Sequence, residues 1–261
     1  SWEDECLKLA RCRTEFEELG CLVVVADINT LETSIDKGVL YETLSNDTDI
    51  PMMEYHEVNN TVDFDKGVAA LKGRSLCMKP ASGSGSRGFV ILNDTPPLTE
   101  EFFNSKNDFL EIPTSYVKKM LEVSPSVSKL LLMETLQGSH YDSNIIAKNG
   151  EVLFQSIRTR EEVINGTITK GKVVRDAELE EINSKIVKCL NTTGYICTQY
   201  IGNKLVEVNP RWSTSINYGG IDEYLMSIKL TLNQEFRISE KDIATYEGVK
   251  MLRYFDVHVY K

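Results

Sequence analysis

The stretch Leu205-Val206-Glu207-Val208-Asn209-Pro210-Arg211 decides the fold. Side chains alternate faces along a strand. Val206 and Val208 therefore share one face, which their apolar character assigns to the core, while Glu207 and Asn209 share the other. The run Tyr195–Ile201 upstream also reads as a strand, with Gly202-Asn203-Lys204 as the hairpin loop between them. A three-residue loop, or an equivalent bulge, stands Gln199 directly opposite Glu207. A two-residue turn sets it opposite Val206, on the wrong face. The three-residue loop, or an equivalent bulge, is the expectation. One carboxylate and two amide carbonyls then converge from one sheet face. That set suits Mg²⁺, a hard ion held by a few protein oxygens together with waters and phosphates. A single carboxylate implies weak binding of the ion in the absence of a nucleotide. Arg211 emerges beside it, where a phosphoryl group in transfer would sit. The competing reading is an incidental polar surface, which Pro210-Arg211 makes less attractive.

The 261 residues are 41% hydrophobic and 26% charged, an ordinary globular composition that excludes a disordered or fibrous chain. Lys plus Arg number 29 against 39 Asp plus Glu, a net charge of −10, which argues against a broad nucleic-acid surface. No apolar run is long enough to span a bilayer. The opening Ser1-Trp2-Glu3-Asp4-Glu5 has neither the basic nor the apolar region of a secretory signal. Cys6, Cys12, Cys21, Cys77, Cys189 and Cys197 show no regular spacing and read as reduced core thiols. His56, His140 and His258 are too scattered for a metal site. A cytoplasmic location is the expectation.

Along the chain, a helix is expected over Asp4–Leu19, stopped by Gly20, followed by the apolar run Cys21–Val25 as a buried parallel strand. One helix and one strand cannot close a sheet, so the chain is expected to begin partway through a domain. A helix over Thr33–Leu44, an extended stretch at Met53–Val58 and a helix at Phe64–Leu71 follow. Strands are expected at Ser75–Lys79, Gly88–Leu92, Leu130–Met133, Asn144–Ala147 and Val152–Ser156, and a helix at Tyr116–Leu121. Residues 176–190 form an amphipathic helix with Leu179, Ile182, Ile186, Val187 and Leu190 on one face. The mixture without strict alternation fits an α+β class.

Gly83-Ser84-Gly85-Ser86-Arg87-Gly88 matches a GxGxxG pattern, but the strand Phe89–Leu92 follows where a dinucleotide site needs a helix. No Gly-Lys-Ser/Thr follows, which excludes Walker A, and the kinase signatures Asp-Phe-Gly and His-Arg-Asp are absent. A flap between two strands remains, whose backbone N–H groups could cap phosphate oxygens. Lys79 ends the preceding strand and would aim a cation at those phosphates. From the loop alone, this reading and an ordinary Gly/Ser surface loop stay open.

The order of these elements resembles the ATP-grasp superfamily, and most of all ligases similar to the large subunit of carbamoyl-phosphate synthetase. Four motifs in order carry the resemblance: Asp36-Lys37; Cys77-Met78-Lys79-Pro80 with the flap; Met133-Glu134-Thr135-Leu136-Gln137-Gly138; and Glu207-Val208-Asn209-Pro210-Arg211. It implies two α+β subdomains sandwiching the nucleotide, preceded by a truncated α/β segment. The expected boundaries are 1–30 for that segment, 31–132 for a linker helix and lid with the flap, and 133–261 for the metal-bearing subdomain. Lys37 and Lys79 would contact ATP phosphates, with Ser84, Gly85, Ser86, Arg87 and Gly88 above them. Glu134, Thr135 and Leu136 would read adenine. Asn144 stands where many relatives carry an acidic residue, on the ribose side. Gln199, Glu207 and Asn209 would hold Mg²⁺, or Mn²⁺ in its place, and Arg211 would steady the phosphoryl group. Arg158, Arg160 and Lys170 resemble an Arg-x-Arg…Lys stretch lining the acceptor or phosphate pocket. The implied activity is an ATP-dependent carboxylate–amine or carboxylate–thiol ligase working through an acyl phosphate. A phosphotransferase of the same fold and a non-catalytic nucleotide-binding subunit are the rivals. Small carboxylates and amines are the expected partners, without nucleic acid or membrane, and a homodimer is the expected assembly.

Overall fold

The computed structural model describes residues 2–46, 49–83, 87–95, 110–124, 128–164, 167–213, 221–236 and 238–254. Ser84, Gly85 and Ser86 of the flap lie outside the described residues, as does most of the polar segment 94–111. The chain divides into two units, one comprising 36–38 and 53–137, the other 1–35, 39–52 and 138–261.

The smaller unit is built on a five-stranded sheet. Its strands are β1 (Tyr55–Val58), β2 (Leu76–Pro80), β3 (Val90–Leu92), β4 (Leu110–Ile112) and β5 (Leu130–Glu134), in the order β1-β5-β2-β3-β4. All pairs are antiparallel except β3 with β4. Alternation along β2 sends Leu76 and Met78 into a core with Val58, Phe64, Leu71, Ile112, Val117, Leu121 and Leu132. The helices Thr61–Ala70 and Thr114–Val123 supply Phe64, Val117 and Leu121 to it. Asn60 starts the first of these helices, its side chain accepting from the Asp63 N–H. Cys77 and Lys79 are left on the opposite face of β2.

The larger unit carries β6 (His140–Lys148), β7 (Glu151–Thr159), β8 (Glu162–Ile164), β9 (Thr167–Val174), β10 (Gly194–Ile201), β11 (Lys204–Asn209) and β12 (Lys250–Leu252). They form a sheet ordered β11-β10-β6-β7-β9-β12, with β8 beside β9. The expected amphipathic helix, Ala177–Leu190, buries Leu179, Ile182, Ile186, Val187 and Leu190. Asp176 caps its N-terminus and Asn191, in the left-handed conformation, ends it. Asn183 of this helix accepts hydrogen bonds from Thr198 and Tyr200 of β10, which fixes the helix-covered face of the sheet. Ile146, Phe154, Tyr195, Cys197, Ile221, Met226 and Leu230 form a second cluster on the other face.

Three sequence expectations change. Cys21–Val25 is not a strand. Among the described residues no strand pairs with it; instead the Arg13 guanidinium donates to the carbonyls of Val23 and Val25 at 3.0 Å each, and Cys21 is exposed. The helix expected over Thr33–Leu44 is two helices, Ile28–Ile35 and Lys37–Leu44. Asp36 breaks it, because its backbone bridges to Ser82 while its carboxylate accepts from the Gly38 N–H. The expected Asp4–Leu19 helix is likewise divided, into Trp2–Arg11 and Arg13–Glu18. Among the described residues no helix is long and apolar enough to cross a membrane.

Gly171 in β9 is a steric requirement of this sheet. A Cβ there would lie 2.2 Å from the Thr159 carbonyl oxygen, a rigid backbone atom. Gly171→Ala should cost about 1–3 kcal/mol of stability by forcing the two strands apart. Chemical denaturation measures this, and an unchanged unfolding midpoint would contradict the close approach.

Candidate functional site

The polar face of the larger unit's sheet assembles by register. Gln199 stands opposite Glu207 on one side and Asp142 on the other, and Asp142 stands opposite Arg158. Glu207, Gln199, Asp142 and Arg158 thus form one row across four strands. Asn209, Cys197, Asn144 and Ser156 form the next. The expected pairing of Gln199 with Glu207 is present, and of its two expected forms it is the bulge, after a two-residue turn, that produces it. Ile201 pairs with Lys204, Tyr200 with Leu205, and the register then shifts. Gly202, at φ 60°, makes the tight turn. The inserted residue is Val206, whose carbonyl accepts from the Tyr41 hydroxyl. Leu205 and Val208, not Val206 and Val208, are therefore the buried pair.

Glu207 and Asn209 meet directly: Asn209 Nδ2 donates to Glu207 Oε1 at 3.0 Å. Arg211 donates through Nη2 to Asn209 Oδ1 at 3.3 Å and through Nε to Glu3 Oε1 at 2.5 Å. An amide oxygen, a carboxylate and a guanidinium thus lie together, with Gln199 in register opposite Glu207. Among the described residues no three His, Cys, Asp or Glu side chains cluster as a metal cage. The mixed donor set of Gln199, Glu207 and Asn209 fits Mg²⁺ whose remaining ligands come from phosphate and water.

Asp142 was not foreseen. Its strand begins at His140, earlier than the expected Asn144, which brings Asp142 onto the sheet. Asp142 is almost fully buried, and Arg160 Nη1 donates to it at 3.2 Å. Burial pushes its carboxyl up to about 6, Arg160 opposes the rise and Glu207 adds to it. Arg160 thus joins the polar face. Lys170 does not: it is exposed and faces Glu161 and Glu162 on the β8–β9 ribbon.

Asn144 is corrected as a nucleotide contact. It is fully buried, donating to Glu223 Oε2 at 2.7 Å and accepting from Ser213 Oγ at 2.9 Å. Glu223, the first residue of the helix Glu223–Thr231, also pairs with buried Arg158. This network pins the chain just beyond Arg211 to the sheet and supplies the buried Arg158 charge with a partner. A cavity of about 540 Å³ opens at the ends of β6 and β7, lined by His140, Tyr141, Thr159, Arg160, Lys172 and Arg175 among others. Burial and the Arg160 charge lower the His140 pKa, favouring its neutral form.

In the smaller unit, Lys37 is buried and donates from Nζ to the Gly83 carbonyl at 2.8 Å, at the base of the flap. Asp36 and Glu57 flank Lys129 at 3.1 and 3.3 Å. Lys79 lies on the β2 face shared with Cys77, half-buried and opposite Leu131. Arg87 and Gly88 close the flap, exposed, with Gly88 at φ 72°. The Glu134 side chain is taken by Arg74 at 2.7 Å, and its N–H by the Glu54 carbonyl. The Thr135 N–H donates to Ser75.

The Asp142 shift has a pH signature. Because the folded-state value lies above the ordinary carboxylate value of 3.8, its contribution to stability is full below that value and is lost as pH rises through about 6. The melting temperature of Asp142→Asn relative to the wild type should therefore climb between about pH 4 and pH 7 and level off above. A difference independent of pH would contradict the shift.

The ATP-grasp domain model matches residues 34–215, more than half of the chain. No curated protein matches the sequence. Among solved structures, the fold is similar to N5-carboxyaminoimidazole synthetase from Staphylococcus aureus complexed with ADP (TM-score 0.66, 17% identity, covering 87% of this chain and 59% of that one). It is similar to biotin carboxylase from Campylobacter jejuni (TM-score 0.66, 12% identity, 89% and 53%). It is also similar to D-alanine–D-alanine ligase from Bacillus anthracis (TM-score 0.58, 18% identity, 85% and 75%). The chain spans between half and three-fifths of the length of the first two. Two sheets in mixed α and β surroundings, the flap strands and the matched model agree: the chain belongs to the ATP-grasp domain family.

Proposed function

We propose that this chain is the nucleotide-binding and phosphoryl-handling part of a Mg-ATP-dependent ligase that joins a carboxylate to an amine or thiol through an acyl phosphate. The observation that carries the reading is the placement of Glu207, Gln199 and Asn209 on one sheet face with Arg211 hydrogen-bonded to Asn209. Bound Mg²⁺ would offset the charge of the phosphate oxygens. Glu207 and Asn209 would give up their mutual hydrogen bond and, with Gln199, hold it. Arg211 would present its guanidinium to the transferring phosphoryl group, and Lys79 and Lys37 would contact ATP phosphates. The substrate carboxylate attacks the γ-phosphorus and ADP leaves. The nucleophile then attacks the acyl carbon and phosphate leaves, its proton passing to solvent or base. Such chemistry needs charge stabilisation and exclusion of water more than a protein nucleophile. A carboxylate-bearing substrate in the 540 Å³ cavity would meet Arg160, Lys172 and Arg175, set beside Glu161 and Asp176. The likeness to carbamoyl-phosphate synthetase within the family rests on the Gln-Glu-Asn donor set and the Asn-Pro-Arg that follows.

The decisive screen is phosphate release with Mg-ATP across paired carboxylates and amines or thiols. The ligase reading expects release to require both co-substrates. A stable phosphorylated product formed without the nucleophile would convert the assignment to a phosphotransferase. In the same assay Arg211→Ala should lower kcat by about 10²–10³-fold with ATP affinity nearly intact. Lys79→Ala should instead weaken ATP binding measured by calorimetry. Unchanged affinity in the Lys79 variant, or normal turnover in the Arg211 variant, would refute this division of labour.

A further inference from the structure

We propose that Glu3 is the positioning residue for Arg211. The proposal deepens the ligase reading only in what it says of turnover; the contact itself stands without that reading. Glu3 lies in the helix Trp2–Arg11, 208 residues from Arg211, and is 8% exposed. Its carboxylate accepts the Arg211 Nε proton at 2.5 Å. The other contacts of the guanidinium are longer, Nη2 to Asn209 Oδ1 at 3.3 Å and Nη1 to the Trp212 carbonyl at 3.4 Å.

A guanidinium is a rigid plane with its donors in a fixed fork. A charge-assisted bond at Nε, the inner end of that fork, orients the plane and leaves the two terminal nitrogens to face outward. The long Nη contacts are the ones an incoming phosphoryl oxyanion would replace. Removing the Glu3 charge would leave a half-buried cation with only those long contacts and free its torsions.

The helix does not depend on Glu3 for its place. Ala10, further along the helix, is buried, Arg11 pairs with Glu32 at 2.8 Å, and Arg13 holds the carbonyls of Val23 and Val25. Glu3 variants should therefore keep the fold.

The test uses Glu3→Gln, Glu3→Asp and Glu3→Ala in the whole chain, with two readouts. The first is hydrogen exchange at the Arg211 Nε–H by NMR, without nucleotide, the resonance assigned by its loss in Arg211→Lys. Exchange should accelerate about tenfold or more in Glu3→Gln, as for loss of a charge-assisted hydrogen bond. The second is the split of kcat from KM. Glu3→Gln and Glu3→Ala should lower kcat by about 10–100-fold with KM for ATP within about twofold, and Glu3→Asp should recover part of it. Unchanged Nε exchange in Glu3→Ala overturns the proposal, as does a raised KM with kcat intact. If the wild type shows no Mg-ATP-dependent turnover, the ligase reading fails while the exchange measurement still decides the role of Glu3.

Discussion

The bulge between β10 and β11 is the constraint on which the site depends. Without it, a two-residue turn at Gly202-Asn203 would set Gln199 against Val206 and turn Glu207 and Asn209 to the face covered by the helix Ala177–Leu190. With it, Leu205 and Val208 turn inward together while Glu207 and Asn209 turn to the polar face. The Tyr41 hydroxyl satisfies the carbonyl of the inserted Val206, a group the ladder would otherwise leave unpaired. One extra residue and one hydroxyl thus decide which chemistry the sheet can present.

From that register the charges follow in sequence. Asp142 lies next to Gln199, Arg158 next to Asp142, and each charge has a named partner: Arg160 for Asp142, Glu223 for Arg158, Glu3 for Arg211. Buried charges are tolerable only when paired and hydrogen-bonded, so these partners hold the face in one arrangement. Glu223 also ties Asn144 and, through it, Ser213 to the sheet, which anchors the chain on the far side of Arg211. The positions of the proposed ion donors and of the arginine are consequences of one connected polar layer.

Much of this was legible in the sequence where the physics is local. The placing of Glu207 and Asn209 on one face with Val208 on the other, and the amphipathic pattern of 176–190, each depend on near neighbours, and both are present; Val206, displaced by the bulge, is not part of that alternation. What was not legible depends on partners distant in sequence. Cys21–Val25 has the composition of a buried strand but no strand beside it among the described residues, and Arg13 takes the carbonyls of Val23 and Val25. Asn144 looks available on a strand until Glu223, 79 residues later, closes over it. Lys170 matches a motif by spacing, yet the β8–β9 ribbon turns it toward Glu161. Glu3 and Asp142 carry no local signal that separates them from other surface acids; only the fold brings them to Arg211 and Arg160.

The central claim is that Gln199, Glu207 and Asn209 together hold a divalent cation with a nucleotide. Electron paramagnetic resonance of Mn²⁺ titrated into the protein with ADP tests it most directly. The account predicts a protein-bound Mn²⁺ signal that needs ADP and is lost, with at least about tenfold weaker binding, in Glu207→Gln. Equal Mn²⁺ binding in the wild type and the variant, or binding indifferent to ADP, would contradict it.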